Sequence, residues 1–466
     1  MKKRLIEEIN KKRVISYNDI RPGIILFNNI PNSEEYSELN KCSILTTYKE
    51  EDRQYKELEE FYVNYLGFPT LLNLSNEFGG PEFFFELRNI CLTPNSKTKI
   101  IKNYLEKEGY EFTVDNFVKM VLIYLRIRAK VPLILLGETG CGKTSLIEAL
   151  YLFLSNRYEL IKINIHSGLT YLDINRLFES YDLFADNSEI NKIKEKFNLK
   201  EKKPKEEKNI ILFLDEINTT NSINLLCEIF IRHSFLGHPL KKNLFIIAAC
   251  NPYRLMLSES EEIGYINKKV HRVRNLVYTV NPLPLSLINY VFDFGNVKDE
   301  DEKKYIRKFV NTFLNDRFST HNYENFTKIL EIIISSVYEA QKFIRKNSEI
   351  SAVSLREIRR FKIFFEFFFD RTKNREEFKN PDLSIVKDHS IFSEVKSNEE
   401  KIENLAALKA ANVSLFMCFY IRIINPQKRE KLAKLLEDIL KFDFLEYPLK
   451  LENELADNLN LDRGIA

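Results

Sequence analysis

An apolar run, Val131 to Leu136, leads directly into Gly137-Glu138-Thr139-Gly140-Cys141-Gly142-Lys143-Thr144. An apolar helical pattern then continues from Ser145 to Leu154. A G-x-x-x-x-G-K-[ST] string between a buried strand and a helix confines this part of the chain to the strand–loop–helix unit of an α/β sheet. The glycines let the backbone turn so that successive N–H groups point inward, and the helix adds its positive N-terminal end. A triphosphate fits such a cradle, formed by residues 137–144 with Ser145 opening the helix behind it. Lys143 is suited to reach the β- and γ-phosphates, and the Thr144 hydroxyl to ligate magnesium. The bland alternative is a chance glycine turn. With only 13 glycines in 466 residues and both flanking elements in place, the phosphate reading is the one to follow.

From Val131 onward, short all-apolar segments alternate with helical ones, as a parallel sheet covered on both faces requires. The pattern predicts strands at Leu133–Leu136, Leu160–Ile165, Ile210–Leu214, Leu244–Cys250 and Leu276–Val280. Helices are expected at Thr144–Leu154, Tyr171–Phe178, Ser222–Arg232 and near Leu255–Tyr265, with another opening at Thr113. The fold class is thus α/β, with a five-stranded parallel core. A Lys/Glu-dense stretch near 186–209 interleaves both charge signs and reads as a solvated insertion.

Residues 1–110 read as mixed helix and loop, with helical spacing over Glu50–Phe68 and a breaker at Gly79-Gly80-Pro81. The sheet subdomain is expected over 111–284. Helices at Leu285–Phe292, Glu302–Leu314, Phe326–Arg345 and Leu355–Phe369 make a helical lid of 285–372. A linker and a last helical region fill 373–466, where Leu405, Leu408, Val413, Phe416 and Phe419 form a stripe expected to be core.

Three further elements carry chemistry. Ile210 to Leu214 ends in Asp215-Glu216, which puts two carboxylates at the C-terminal edge of a buried strand. Asp215 is suited to the magnesium shell and Glu216 to act as general base on the attacking water. The next strand ends in Asn251-Pro252; Asn251 is placed to touch a γ-phosphate, the alternative being a turn that only ends the strand. Arg356, in Ser354-Leu355-Arg356-Glu357, opens a helix of the lid and is a candidate to report nucleotide state, although a single Arg on a helix is ordinarily a surface residue.

Composition removes several classes. The net charge of +3, from 70 basic and 67 acidic residues, shows no basic stripe and argues against nucleic acid as the partner. No two of the six cysteines have metal-ligand spacing, so a zinc-stabilised ring domain is not expected. Cys141 within the loop and Cys250 at a strand end suit a reduced, cytoplasmic protein. The N-terminus lacks a signal-peptide pattern, and no apolar run is expected to cross a membrane; Val413–Ile424 is short and contains Arg422.

These elements in this order resemble the AAA+ superfamily: Walker A, Walker B, sensor 1 and a sensor 2 in a helical lid. The segments opening at Thr113, Gly137, Asp215, Ala248, Leu276 and Phe292 are similar to mysterin, a family of giant ubiquitin ligases with a dynein-like chain of AAA+ modules. The resemblance covers roughly 110–372 and, more weakly, 400–440. It implies an ATP- and magnesium-dependent ATPase module, with the tail of a preceding module over 1–110. It also implies an arginine finger supplied by a neighbouring module or protomer. Arg272 or Arg274 falls where this chain's own finger for a neighbour belongs, the alternative being a basic turn in water. Without a metal-spaced Cys/His set, ubiquitin transfer is not expected from these residues, and ligase components are expected only as partners. The chain then reads as a fragment, a truncated product or a reduced relative; the protein substrate is not legible. Two competing readings are a binding-only ATP switch or scaffold, and a remodelling ATPase of the midasin or MoxR type, which shares the Asp-Glu-Ile-Asn style of Walker B segment.

Overall fold

A computed structural model describes residues 24–28, 42–46, 53–58, 60, 71–73, 80–185, 208–253, 280–295, 302–308, 310, 323–347, 353–373, 398–441, 443–445 and 448. The described residues divide into two compact units. One takes in 80–108, 112–253 and 280–295, and the other holds the helices from 302 onward. The expected strand Leu276–Val280 up to its last residue, the helix near Leu255, most of the charged insertion and both finger candidates, Arg272 and Arg274, lie outside the described residues.

The N-terminal region contains a sheet that the expectation of helix and loop missed. Strand β1 (Ile24–Asn28) pairs antiparallel with β2 (Cys42–Thr46), which runs parallel to β3 (Leu71–Asn73). Apolar runs this short give no periodicity by which to tell strand from helix. Helix α1 (Arg53–Leu58) falls in the first half of the expected Glu50–Phe68 helix. The predicted breaker is a helix start: Gly80 and Pro81 open α2 (Gly80–Ile90), and proline suits a first turn, whose N–H groups have no helical partner. Helix α3 (Asn95–Lys107) follows.

Helix α4 (Val114–Arg128) begins at the predicted cap, where Thr113 Oγ1 accepts the Asn116 N–H at 3.2 Å. It leads into β4 (Leu133–Leu136) and α5 (Lys143–Leu154). Then come β5 (Tyr158–Asn164), α6 (Tyr171–Ser180), β6 (Asn209–Asp215) and α7 (Ile223–Arg232). A small hairpin, β7 (Ser234–Phe235) and β8 (His238–Pro239), precedes β9 (Leu244–Cys250). Both faces of the sheet are covered. Ile134, Leu212, Leu214, Ile246 and Ala248 pack with Phe178, Leu226 and Phe230, while Leu133, Leu135, Phe213 and Ile247, of opposite parity, are buried too.

The fifth strand is β10 (Val291–Asp293), parallel to β4, so the sheet order is β10-β4-β9-β6-β5 with every pair parallel. This corrects the helix expected over Leu285–Phe292. A 3₁₀ helix spans Leu285–Tyr290, and the chain then extends to pair with the open edge of β4. Sheet pairing outweighs the helical spacing there, and the sheet unit accordingly runs past 284. The chain leaves β4 toward β5 on one side and places β10 on the other. The carboxyl end of β4 is therefore a topological switch point, the usual ligand crevice of an open parallel sheet.

The second unit is helical: residues 302–308, α8 (Tyr323–Asn347), α9 (Leu355–Lys373), α10 (Asn398–Leu415), a π-helical turn Phe416–Tyr420, and α11 (Pro426–Leu440). Phe361, Phe365 and Phe369 repeat every four residues and stack along α9 with centroids 5.7 and 6.1 Å apart. Leu405, Leu408, Val413, Phe416 and Phe419 are all buried in this unit's core. The helix Lys401–Tyr420 is long and apolar enough to cross a membrane, contrary to the sequence expectation. Its apolar window is 78% buried against protein, so packing within the bundle accounts for its composition.

Candidate nucleotide site

The site is built at the carboxyl ends of β4, β6 and β9. The loop after β4 turns through left-handed Gly140 (φ 74°) and Gly142 (φ 95°), the latter capping α5, where Leu146 N–H donates to its carbonyl at 2.9 Å. Gly137 is buried for a different reason. A Cβ there would lie 3.0 Å from Cys141 Sγ and 3.1 Å from Phe294 Cβ. Glu138, Thr139, Gly140, Cys141, Gly142 and Ser145 are half-buried along the loop and first turn. The Lys143 ammonium is buried. It donates to the carbonyls of Gly137 (2.6 Å) and Glu138 (2.9 Å) and to Asn251 Oδ1 (3.4 Å).

β6 delivers the carboxylates. Thr144 Oγ1 donates to Asp215 Oδ2 at 2.9 Å, which joins the first helical residues after the loop to the end of β6. Asp215 is held in register opposite Asn164 of β5, and its carbonyl accepts the Ile165 N–H at 2.9 Å. Glu216 is exposed and left-handed (φ 58°, ψ 40°), a backbone state that costs a non-glycine residue about 1–3 kcal/mol and is held here from outside. The hold is visible: Thr219 donates its N–H (3.0 Å) and its hydroxyl (2.9 Å) to the Glu216 carbonyl. The strand thus ends abruptly, with two adjacent carboxylates on backbone of opposite hand.

A hydroxyl and a carboxylate sharing one hydrogen bond are hard oxygen donors of the kind magnesium takes. Magnesium is usually held by one or two such side chains together with substrate phosphates rather than by an all-protein cage. Thr144 and Asp215 fit the ion; they are the two residues that would hold it.

Asn251, at the end of β9, is buried and reaches the loop through Lys143. Sequence reasoning missed what fixes it. Asn218, on the 3₁₀ turn Ile217–Thr219, donates from Nδ2 to the Asn251 carbonyl at 2.7 Å, and its Oδ1 accepts the Asn251 N–H at 3.3 Å. The Asn218 carbonyl in turn accepts the Asn281 N–H at 2.7 Å. The only hint was the polar Asn218 amid Asp-Glu-Ile-Asn; spacing does not say that its side chain turns inward.

Phe294 and the pair Asp115–Lys119 were also missed. The Phe294 N–H donates to the Leu136 carbonyl at 2.7 Å, continuing the β10–β4 pairing to the foot of the loop. Lys119 Nζ lies 2.6 Å from Asp115 Oδ2 and 4.2 Å from the centre of the Phe294 ring, a buried ion pair behind the loop.

The first unit therefore brings together residues 137–145, Asp215, Glu216 and Asn251. Arg356 belongs to the second unit, exposed on the first turn of α9. Its turn is well built. Glu357 Oε2 accepts from Ser354 N–H (2.7 Å) and Oγ (3.0 Å), while Oε1 takes Arg360 (3.2 Å) and Arg422 (3.1 Å). Neither thiol beside the loop is activated: burial pushes Cys141 up, and it pushes Cys250 up to about 12.

A five-stranded parallel sheet in this order, with a phosphate loop after β4 and an Asp-Glu pair at the end of β6, two places away, defines an AAA+ P-loop module, a nucleotide-binding fold. Residues 110–254 match the RNF213 AAA domain family. The chain is 33% identical over 311 residues to E3 ubiquitin-protein ligase rnf213-beta of Danio rerio, across 62% of this chain and 6% of the relative. It is 34% identical over 281 residues to human E3 ubiquitin-protein ligase RNF213, across 56% of this chain and 5% of the relative. A solved RuvB mutant from Thermotoga maritima aligns over 73% of this chain and 94% of its own, at 14% identity and a TM-score of 0.29, too low to bear on the fold. The module at 110–254 belongs to the mysterin (RNF213) family of AAA+ proteins. The chain spans about one-twentieth of the length of these relatives.

Proposed function

We propose that this site binds ATP with magnesium and hydrolyses it. The observation that carries the reading is the convergence of Lys143, Thr144, Asp215 and Asn251 at the carboxyl edge of β4, β6 and β9. The N–H groups of the loop and the first turn of α5 receive the phosphates, and Lys143 exchanges loop carbonyls for phosphate oxygens. Thr144 and Asp215 would hold the magnesium ion, which would supply positive charge against the developing negative charge of phosphoryl transfer. Glu216 takes a proton from water as the water oxygen bonds to the γ-phosphorus and the bond to the β-bridging oxygen breaks. Asn251 orients that water or the γ-phosphate.

Lid movement, read out through Arg356, would couple this step to remodelling of a protein partner. A neighbouring AAA+ module or protomer would supply an arginine finger, worth several orders of magnitude in rate where fingers are used. Two relatives are E3 ubiquitin-protein ligases by name, so ligase components are the partner class we propose. Cys91, Cys141, Cys227, Cys250 and Cys418 are free thiols, which supports a reducing, cytoplasmic setting. Phosphate release from ATP by the purified chain tests the reading: it should need magnesium and vanish in Lys143→Ala. Turnover that survives loss of Lys143 would contradict it. Imaging of the tagged chain tests the location, and gel filtration with and without ATP tests assembly.

A further inference from the structure

We propose that Asn218 is a positioning residue of this site, acting through Asn251 to set how the protein distinguishes a nucleoside triphosphate from a diphosphate. The inference rests on the nucleotide-binding reading above. Asn218 is 1% exposed, and a buried side-chain amide is retained only where its donors and acceptor are used. Its amide engages both backbone groups of one residue, donating to the Asn251 carbonyl (2.7 Å) and accepting the Asn251 N–H (3.3 Å). Such a two-point clip fixes position and orientation together.

The residue so fixed ends β9, and its side chain meets the loop lysine (Asn251 Oδ1 to Lys143 Nζ, 3.4 Å). The clip also starts from a meaningful place. Asn218 sits two residues beyond Glu216, on the turn that Thr219 ties to the Glu216 carbonyl. One short segment therefore carries the carboxylate and sets the placement of the amide. The clip extends outward as well. Asn281 donates its N–H to the Asn218 carbonyl (2.7 Å) and its Nδ2 to the Thr220 carbonyl (2.9 Å), which pins the far side of the turn.

An Asn251 side chain that drifts by a few tenths of an ångström keeps its hydrogen-bonding groups but no longer meets the terminal phosphate at hydrogen-bond distance. Contacts to the α- and β-phosphates, made by the loop and α5, do not pass through Asn218. Loss of the clip should therefore weaken ATP and spare ADP.

The test measures ATP and ADP dissociation constants with magnesium for the full chain and for Asn218→Ala, Asn251→Ala and the double variant. Asn218→Asp is a further, near-isosteric probe. It keeps the acceptor for the Asn251 N–H but turns a carboxylate oxygen toward the Asn251 carbonyl. We expect Asn218→Ala and Asn218→Asp each to weaken ATP about five- to tenfold, the worth of about one hydrogen bond, and to change ADP less than about twofold. The double variant should match Asn251→Ala, because both changes act on one contact. Equal weakening of ATP and ADP, or additive effects in the double variant, would overturn the proposal while leaving nucleotide binding intact. Failure of the unsubstituted chain to bind either nucleotide would instead overturn the reading beneath it.

Discussion

Thr144 Oγ1 donates to Asp215 Oδ2 at 2.9 Å, across a separation of 71 residues in sequence. This bond closes the site: one residue lies in the first turn of α5, the other ends β6, and β9 lies between β4 and β6. Thr144→Val keeps the shape and removes the oxygen. It should raise the magnesium concentration needed to support ATP binding by about tenfold or more, with magnesium-free ADP binding unchanged. Titration of bound nucleotide against magnesium checks this, and an unchanged magnesium requirement would remove Thr144 from the ion's shell.

Gly137→Ala probes the crowding at the foot of the loop. The added methyl meets Cys141 Sγ at 3.0 Å and Phe294 Cβ at 3.1 Å, and the latter belongs to the segment bonded to the Leu136 carbonyl. Overpacking of this kind costs about 1–3 kcal/mol. Denaturant unfolding should show that loss together with weaker nucleotide binding.

Asp115 and Lys119 test the back wall of the loop. Their side chains are 9% and 2% exposed, so removing the Lys119 charge strands the Asp115 carboxylate. Lys119→Met should destabilise the chain by about 3–5 kcal/mol, whereas Asp115→Leu combined with Lys119→Met should recover most of the loss. Equal destabilisation by the single and double variants would show that the pair is not the source.

Burial holds the thiols of Cys91, Cys250 and Cys418 up at about 12, against an ordinary value of 9.0. Below pH 9 the thiol is protonated in both folded and unfolded chains, and its contribution to stability is fully present. Above that the unfolded thiols ionise while the folded ones do not. Stability should therefore fall as pH rises toward 12, by at most about 1.4 kcal/mol per pH unit for each thiol. Unfolding of the parent and of Cys250→Ala across this range should show a shallower loss in the variant.

How much of this was legible depends on the length over which each signal acts. The loop, the cap at Thr113 and the strands β4 and β9 are written in contiguous residues, and the structure begins and ends them at or near the expected positions. β10 was not legible. Val291–Asp293 is too short to declare itself and becomes strand only because β4 offers an open edge. β1, β2 and β3 escaped for the same reason. The clip by Asn218 and the pair behind the loop depend on side-chain direction, which composition and spacing do not encode. For Lys401–Tyr420 the sequence reading expected no span; the helix is nevertheless long and apolar enough for one, and burial of 78% of its apolar window against protein accounts for that composition.

Glu216 decides whether the site performs hydrolysis or binding alone. Its carboxylate is replaced by a near-isosteric amide in Glu216→Gln, which cannot accept the water proton. The measurement is ATP affinity and phosphate release on the same preparations, with magnesium and with whatever partner supports turnover by the parent chain. ATP affinity should stay within about twofold of the parent, and turnover should fall by about a hundredfold or more. Phosphate release at the parent's rate in Glu216→Gln would contradict the general-base role of Glu216.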